Sequence, residues 1–200
     1  MKLRLAALLL AFAAPVFAAD MLPTPARTAA QGTGPYPGLV IRGVTIIQGD
    51  GAPPDGPADI VIEGGRIAAI NIAGTPGLPM RPNRKPQGAT REIDATGMFV
   101  LPGFVDMHGH NGDPQKSPDP SYAYKLWLAH GVTTVRGVSL YDDTAHALSD
   151  KRRSAANSIV APHLYVYETL GSGWSKGAVT TPALAREWVQ WAAKSGVDGI

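Results

Sequence analysis

The rhythm of the chain changes after Pro102-Gly103, and that change limits the folds open to it. Downstream, short apolar stretches alternate with longer ones of helical spacing. Phe104 to His110 reads as a strand, Pro120 to His130 as a helix stopped by Gly131, and Val132 to Val138 as a second strand. Asp142 to Ser158 reads as a polar amphipathic helix and His163 to Thr169 as a third strand. Thr181 then stands as a cap with Pro182 at the first helical position. Leu184, Trp188 and Trp191 follow at helical spacing, so the tryptophans read as core, and Gly196 ends that helix before Val197 to Ile200 opens another strand. Strand and helix in alternation build a parallel sheet. A parallel sheet cut at the start of a strand would leave an unpaired edge, so the chain is expected to be the front part of something longer.

Upstream the pattern is different. Leu39 to Gln48 is a β-branched strand signal ending in the turn Gly49-Asp50-Gly51. Asp59 to Ile62 and Arg66 to Ile70, separated by Gly64-Gly65, have the pattern of a β-hairpin. Gly74 to Gly88 is Pro- and Gly-rich loop, and Arg91 to Val100 reads as strand, turn, strand. The expectation is an α/β chain with a small β part over 39–101 and the first βα units over 102–200. Residues 20–38, rich in Pro, Gly, Thr and Ala, read as a flexible leader.

Residues 1–19 have the layout of a secretory signal peptide: Lys2 and Arg4, an apolar stretch from Leu5 to Ala14, then Pro15 and the small-residue site Val16-Phe17-Ala18, with the cut after Ala18 or Ala19. The apolar run is short of the roughly 20 residues a membrane span needs. A periplasmic or secreted protein with no membrane contact after cleavage is expected. Of 200 residues 44% are hydrophobic and 17% charged, enough apolar sequence for a core. The net charge of +2, from 18 basic and 16 acidic residues, points to no nucleic acid or acidic partner. Cysteine is absent, which removes both disulfides and thiolate ligands, so any metal must bind through histidine or carboxylate.

Leu101 to His110 carries the chemistry. An apolar strand ends in two histidines separated by one residue, and on a strand alternate side chains share a face, so Asp106, His108 and His110 are expected to point one way and Gly109 the other. Two imidazoles can then converge on one ion. A His-x-His pair is also what a solvated surface carries. Here the Pro-Gly lead-in, the apolar strand and the loop Asn111-Gly112-Asp113 set the pair at a mouth rather than in a core.

The same ten residues resemble the Pro-Gly-Phe-x-Asp-x-His-x-His segment of the amidohydrolase superfamily. Asp59 to Ile67 is similar to that family's N-terminal β-sandwich, and Gly131 to Arg136 to its second barrel strand. Within the superfamily the chain looks most like the imidazolonepropionase-like and Xaa-Pro-dipeptidase-like branch. The resemblance implies a (β/α)8 barrel, also called a TIM barrel, holding one or two divalent ions, zinc first among them, with His108 and His110 as the first ligands. It implies hydrolysis of an amide or cyclic amide C–N bond in a small molecule by a metal-activated water. The bridging Lys, two further His and the catalytic Asp it implies would all lie beyond Ile200, so 1–200 alone is expected to be inactive. A barrel that binds metal or ligand without hydrolysis is the alternative.

Asp106 suits a supporting role, since metal-bound histidines donate to carboxylates. Arg136 and Glu168 fall near the C-terminal ends of their strands, where barrels place substrate contacts, though a structural ion pair also explains a charge there. His130 at a helix end, His146 on a polar helix face and His163 at the start of a strand are not expected to be ligands.

Overall fold

The computed structural model describes residues 20–32, 34–72, 74–75, 78, 91–137 and 144–200. The export segment over 1–19, most of the loop over 74–88, and residues 138 and 142–143 of the expected second strand and helix lie outside them. Among the described residues no helix is long and apolar enough to cross a membrane.

The β-branched run after the leader forms β1 (Gly38–Ile46), which pairs antiparallel with β2 (Asp55–Glu63). β2 turns through Gly64 and Gly65 into β3 (Arg66–Ile72). Both glycines have positive φ, 54° and 77°, as the two-residue turn between Glu63 and Arg66 requires. β4 (Arg91–Asp94) and β5 (Phe99–Val100) both lie parallel to β1, one after the other along its far side. Midway, β1 bulges at Gly43, whose φ is 71° and where a Cβ would stand 2.7 Å from the Thr96 hydroxyl. Val44, Ile46, Ala58, Ile60 and Ala95 make the core of this sheet.

The second sheet is parallel in the order β6 (Phe104–Asp106), β7 (Val132–Arg136), β8 (His163–Tyr165). α1 (Pro120–Ala129) packs on β7 and α2 (Thr144–Ala155) on β8. Asp119 caps α1 by accepting from the Ser121 amide at 2.9 Å, and Gly131, with φ 77°, turns the chain into β7. α3 (Pro182–Ser195) starts on Thr181, which accepts from the Leu184 amide at 3.2 Å, and ends at Gly196 in the left-handed region. Trp188 is fully buried, with its indole N–H on the Ser172 carbonyl at 2.8 Å. Tyr124, Val135, Ala147, Ile159, Leu164 and Val166 form the core between this sheet and its helices.

Four expectations change, the first being that the strand expected over Val197 to Ile200 is only a single bridge at Gly199. β6 ends at Asp106, so the histidines stand past the strand and not on it. β8 ends at Tyr165, and Tyr167 instead forms a parallel bridge with Gly199. The stretch read as a flexible leader is docked: Met21 and Thr24 are buried, the Leu22 amide donates to the Pro118 carbonyl at 2.8 Å, and the Arg27 amide to that of Ser158 at 2.9 Å. Its Pro and Ala content carries no periodicity to announce this, because its partners lie in α2 and in loops of the second sheet.

Candidate functional site

Past Phe104 and Val105 the strand stops where its last residue takes up a following amide itself. Asp106 Oδ1 accepts from the His108 N–H at 3.0 Å, turning the chain out of the sheet. Gly109 is then pressed inward: its N–H donates to the Arg136 carbonyl at 3.0 Å, and a Cβ there would lie 2.5 Å from Val135 Cγ1 and 2.8 Å from Trp127 Cζ2. No larger residue fits. With Gly109 inward, both flanking side chains stay exposed. The Nε2 atoms of His108 and His110 meet at 3.2 Å, their rings 73° apart in plane. The expected convergence is present, but a turn pinned at Gly109 produces it, not the alternation of a strand.

Two imidazole nitrogens at that distance need a positive charge or a proton between them. Zinc bonds of about 2.05 Å would subtend roughly 100° across a 3.2 Å gap, near the tetrahedral angle. The donor pair therefore fits a divalent ion as two of its ligands. Among the described residues no group of three or more His, Asp or Glu side chains gathers around one point.

Arg136 reaches back to this loop. Its Nη1 donates to the Met107 carbonyl at 3.2 Å, while the guanidinium lies 3.9 Å from the centre of the Tyr167 ring. Asp106, His108, His110 and Arg136 are thus joined through one turn. Glu168 lies farther along, after β8: it is buried, accepts from the Thr144 hydroxyl at 2.6 Å, and its amide donates to the Gly199 carbonyl at 3.1 Å. His130 Nδ1 stands 2.8 Å from the Leu126 carbonyl at the end of α1, and His163 is exposed at the start of β8.

A buried polar cluster beside the loop has no counterpart in the sequence reading. The Asn111 amide donates to the Tyr124 hydroxyl at 3.1 Å, and that hydroxyl donates to Asp150 Oδ2 at 3.1 Å. The Thr24 hydroxyl donates to the same oxygen, and His146 Nε2 lies 3.2 Å from it. Burial alone would raise the Asp150 carboxyl, but hydrogen bonds from His146 and Thr24 and the charge of His146 outweigh it, holding Asp150 below the usual carboxylate value. Burial first, and then the Asp150 charge, push the Tyr124 phenol well above its ordinary value. An Asp on a polar helix reads as solvated, and no local signal marks this one as buried.

No family model matches the chain. It is 30% identical over 150 residues to an N-acyl-D-aspartate deacylase of Alcaligenes xylosoxydans xylosoxydans, covering 72% of this chain and 26% of that enzyme. A solved Xaa-Pro dipeptidase with methionine in its active site shares the fold at 21% identity, with a TM-score of 0.54 over 82% of this chain and 46% of that one. The N-acyl-D-glutamate deacylase of Bordetella bronchiseptica, solved with zinc and a phosphonate inhibitor, is 26% identical with a TM-score of 0.51, over 80% of this chain and 37% of its own. The chain spans about a quarter of the first relative and less than half of each structure.

Proposed function

We propose that this chain, which belongs to the amidohydrolase superfamily, forms the metal-binding front of an exported hydrolase that cleaves an amide or cyclic amide C–N bond in a small molecule, with His108 and His110 as two ligands of a divalent ion, zinc first. One observation carries the reading: two imidazole nitrogens 3.2 Å apart at the C-terminal end of a parallel strand, the end at which such barrels place their chemistry. Phe104, Val105 and Tyr165 of the parallel sheet are exposed, as the first strands of a larger (β/α)8 barrel would leave them.

Bound there, a divalent ion lowers the pKa of its water and polarises a carbonyl. The chain's own residues do the positioning. Asp106 holds the His108 amide, Gly109 keeps the turn flat on Val135 and Trp127, and Arg136 grips the Met107 carbonyl. Arg136 and Glu168 are the candidates for contact with substrate, and export rests on the layout of residues 1–19.

The experiment is metal analysis and hydrolysis of N-acyl amino acids and dipeptides by the full-length protein and its His108→Ala and His110→Ala variants. Each variant is expected to lose both metal and turnover. Turnover with a normal metal content in either variant would sink the proposal, and metal uptake without hydrolysis of any amide would favour a binding protein. N-terminal sequencing of the exported protein is expected to begin at Ala19 or Asp20.

A further inference from the structure

We propose that the stretch from Met21 to Arg27 is a strap that positions the loop carrying His108 and His110, with the buried Asp150 as its anchor and Asn111 as the side chain through which it acts. The inference rests on reading that histidine pair as metal ligands. The loop after the pair is held from three sides. A Cβ on Gly112 would stand 2.7 Å from Met21 Cε, so the backbone there lies directly against the strap. The Leu22 amide donates to the Pro118 carbonyl at 2.8 Å. Asn111, one peptide bond from His110, donates to the Tyr124 hydroxyl at 3.1 Å, which donates to Asp150 at 3.1 Å.

Strap and loop meet on that carboxylate. Thr24 donates its hydroxyl to Asp150 Oδ2, the oxygen that also takes Tyr124. Arg153 closes the ring, with Nη1 on Asp150 Oδ1 at 3.1 Å and Nη2 on the Thr24 carbonyl at 2.6 Å. Thr24, Asn111, Tyr124 and Asp150 are 2%, 4%, 0% and 1% exposed, so water cannot replace a lost partner. A buried hydrogen-bonded network of this kind favours one arrangement, and it passes that arrangement to the groups at its ends. Removal of an export segment ending at Ala18 or Ala19 would leave the strap intact at the start of the mature chain.

In the full-length protein, Thr24→Val and Tyr124→Phe each delete one hydroxyl of the relay at nearly constant volume. Zinc affinity, read by competition with a chromophoric chelator, is expected to fall roughly tenfold in each, as for other partners that orient ligands. The double variant is expected to lose less than the product, and Thr24→Ser to recover the wild-type value. Amide hydrogen exchange over residues 108–117 is expected to speed up in both variants while β1 and β2 keep wild-type rates.

Unchanged loop exchange in a cooperatively unfolding Tyr124→Phe protein overturns the proposal. So does faster loop exchange without weaker zinc binding, since the strap would then hold the loop without positioning the histidines. Should Thr24→Val fail to fold, Met21→Ala, which leaves the Asp150 hydrogen bonds in place, is read in the same two ways. If the wild-type protein takes up no zinc, the ligand reading falls and the strap is judged on exchange alone, sustained by faster loop exchange and overturned by none.

Discussion

Asp59 in the first sheet and Asp150 beside the second are both buried carboxylates, and they find their partners at different ranges. Asp59 takes the Gly43 amide at 3.0 Å and Arg42 Nη1 at 2.9 Å from the neighbouring strand, 16 and 17 positions away. Arg42 in turn pairs with Glu92 of β4, and that hydrogen bond, more than burial opposes it, raises the guanidinium above its ordinary value. Asp150 has His146 and Arg153 on its own helix, and draws its two hydroxyl donors from Thr24, 126 positions away, and Tyr124, 26 away. A carboxylate out of water must be paired wherever it sits. One supply of partners comes with the local pairing of strands. The other is complete only after distant segments have met, because two of its hydrogen bonds come from Thr24 and Tyr124.

The largest expected effect follows from Asp150→Ala. It leaves buried Thr24 and Tyr124 hydroxyls short of an acceptor, and a loss of about 3–5 kcal/mol is expected in urea unfolding, the range for one partner removed from a buried pair. Protease cleavage within residues 20–32 is expected to accelerate in that variant. Asp59→Ala is expected to cost less, about 2–3 kcal/mol, because Arg42 keeps Glu92, and to leave cleavage of 20–32 unchanged. Equal losses in the two variants, or strap cleavage in both, would erase the distinction.

Acid sharpens the contrast. The folded Asp150 carboxyl titrates below its unfolded value of 3.8, so its contribution is fully present above about pH 4 and is lost as pH falls through the lower folded value. His146, Arg153, Tyr124 and Thr24 are the groups that face it. Denaturant titrations of wild type and Asp150→Asn are expected to differ at pH 6 and to draw together as pH falls below 3.8; a gap that widens on acidification would contradict the assigned direction.

The smallest effect belongs to the first sheet alone. Gly43→Ala meets both a positive φ and the Thr96 hydroxyl, and about 1–2 kcal/mol is expected, whereas Gly64→Ala in the open hairpin turn carries only the φ cost, about 1 kcal/mol. Thermal unfolding of the two variants separates crowding from backbone strain.

Much of the fold was legible. The Gly64-Gly65 hairpin, the Thr181 cap and Gly196 stop of α3, and the Gly131 stop of α1 depend on neighbours within a few residues, which the sequence displays directly. The histidine pair was legible as a pair, while its geometry was not. Asp106 ends the strand by accepting from the His108 amide, and an acidic residue in an apolar run does not show whether it continues or caps. Thr24, Asn111 and Asp150 were invisible for the same reason that they matter: each is polar, and each is buried only because the others are present.

By itself, then, the sequence determined the alternation that makes a parallel sheet, the hairpin before it, and the two histidines one residue apart, because these follow from periods of two and 3.6 and from short-range steric preference. Only the tertiary structure decided that Gly109 is driven against Val135 and Trp127, that the two Nε2 atoms meet at 3.2 Å, and that residues 20–27 dock beside their loop. Those outcomes depend on burial, and burial is a property of segments brought together across more than a hundred residues.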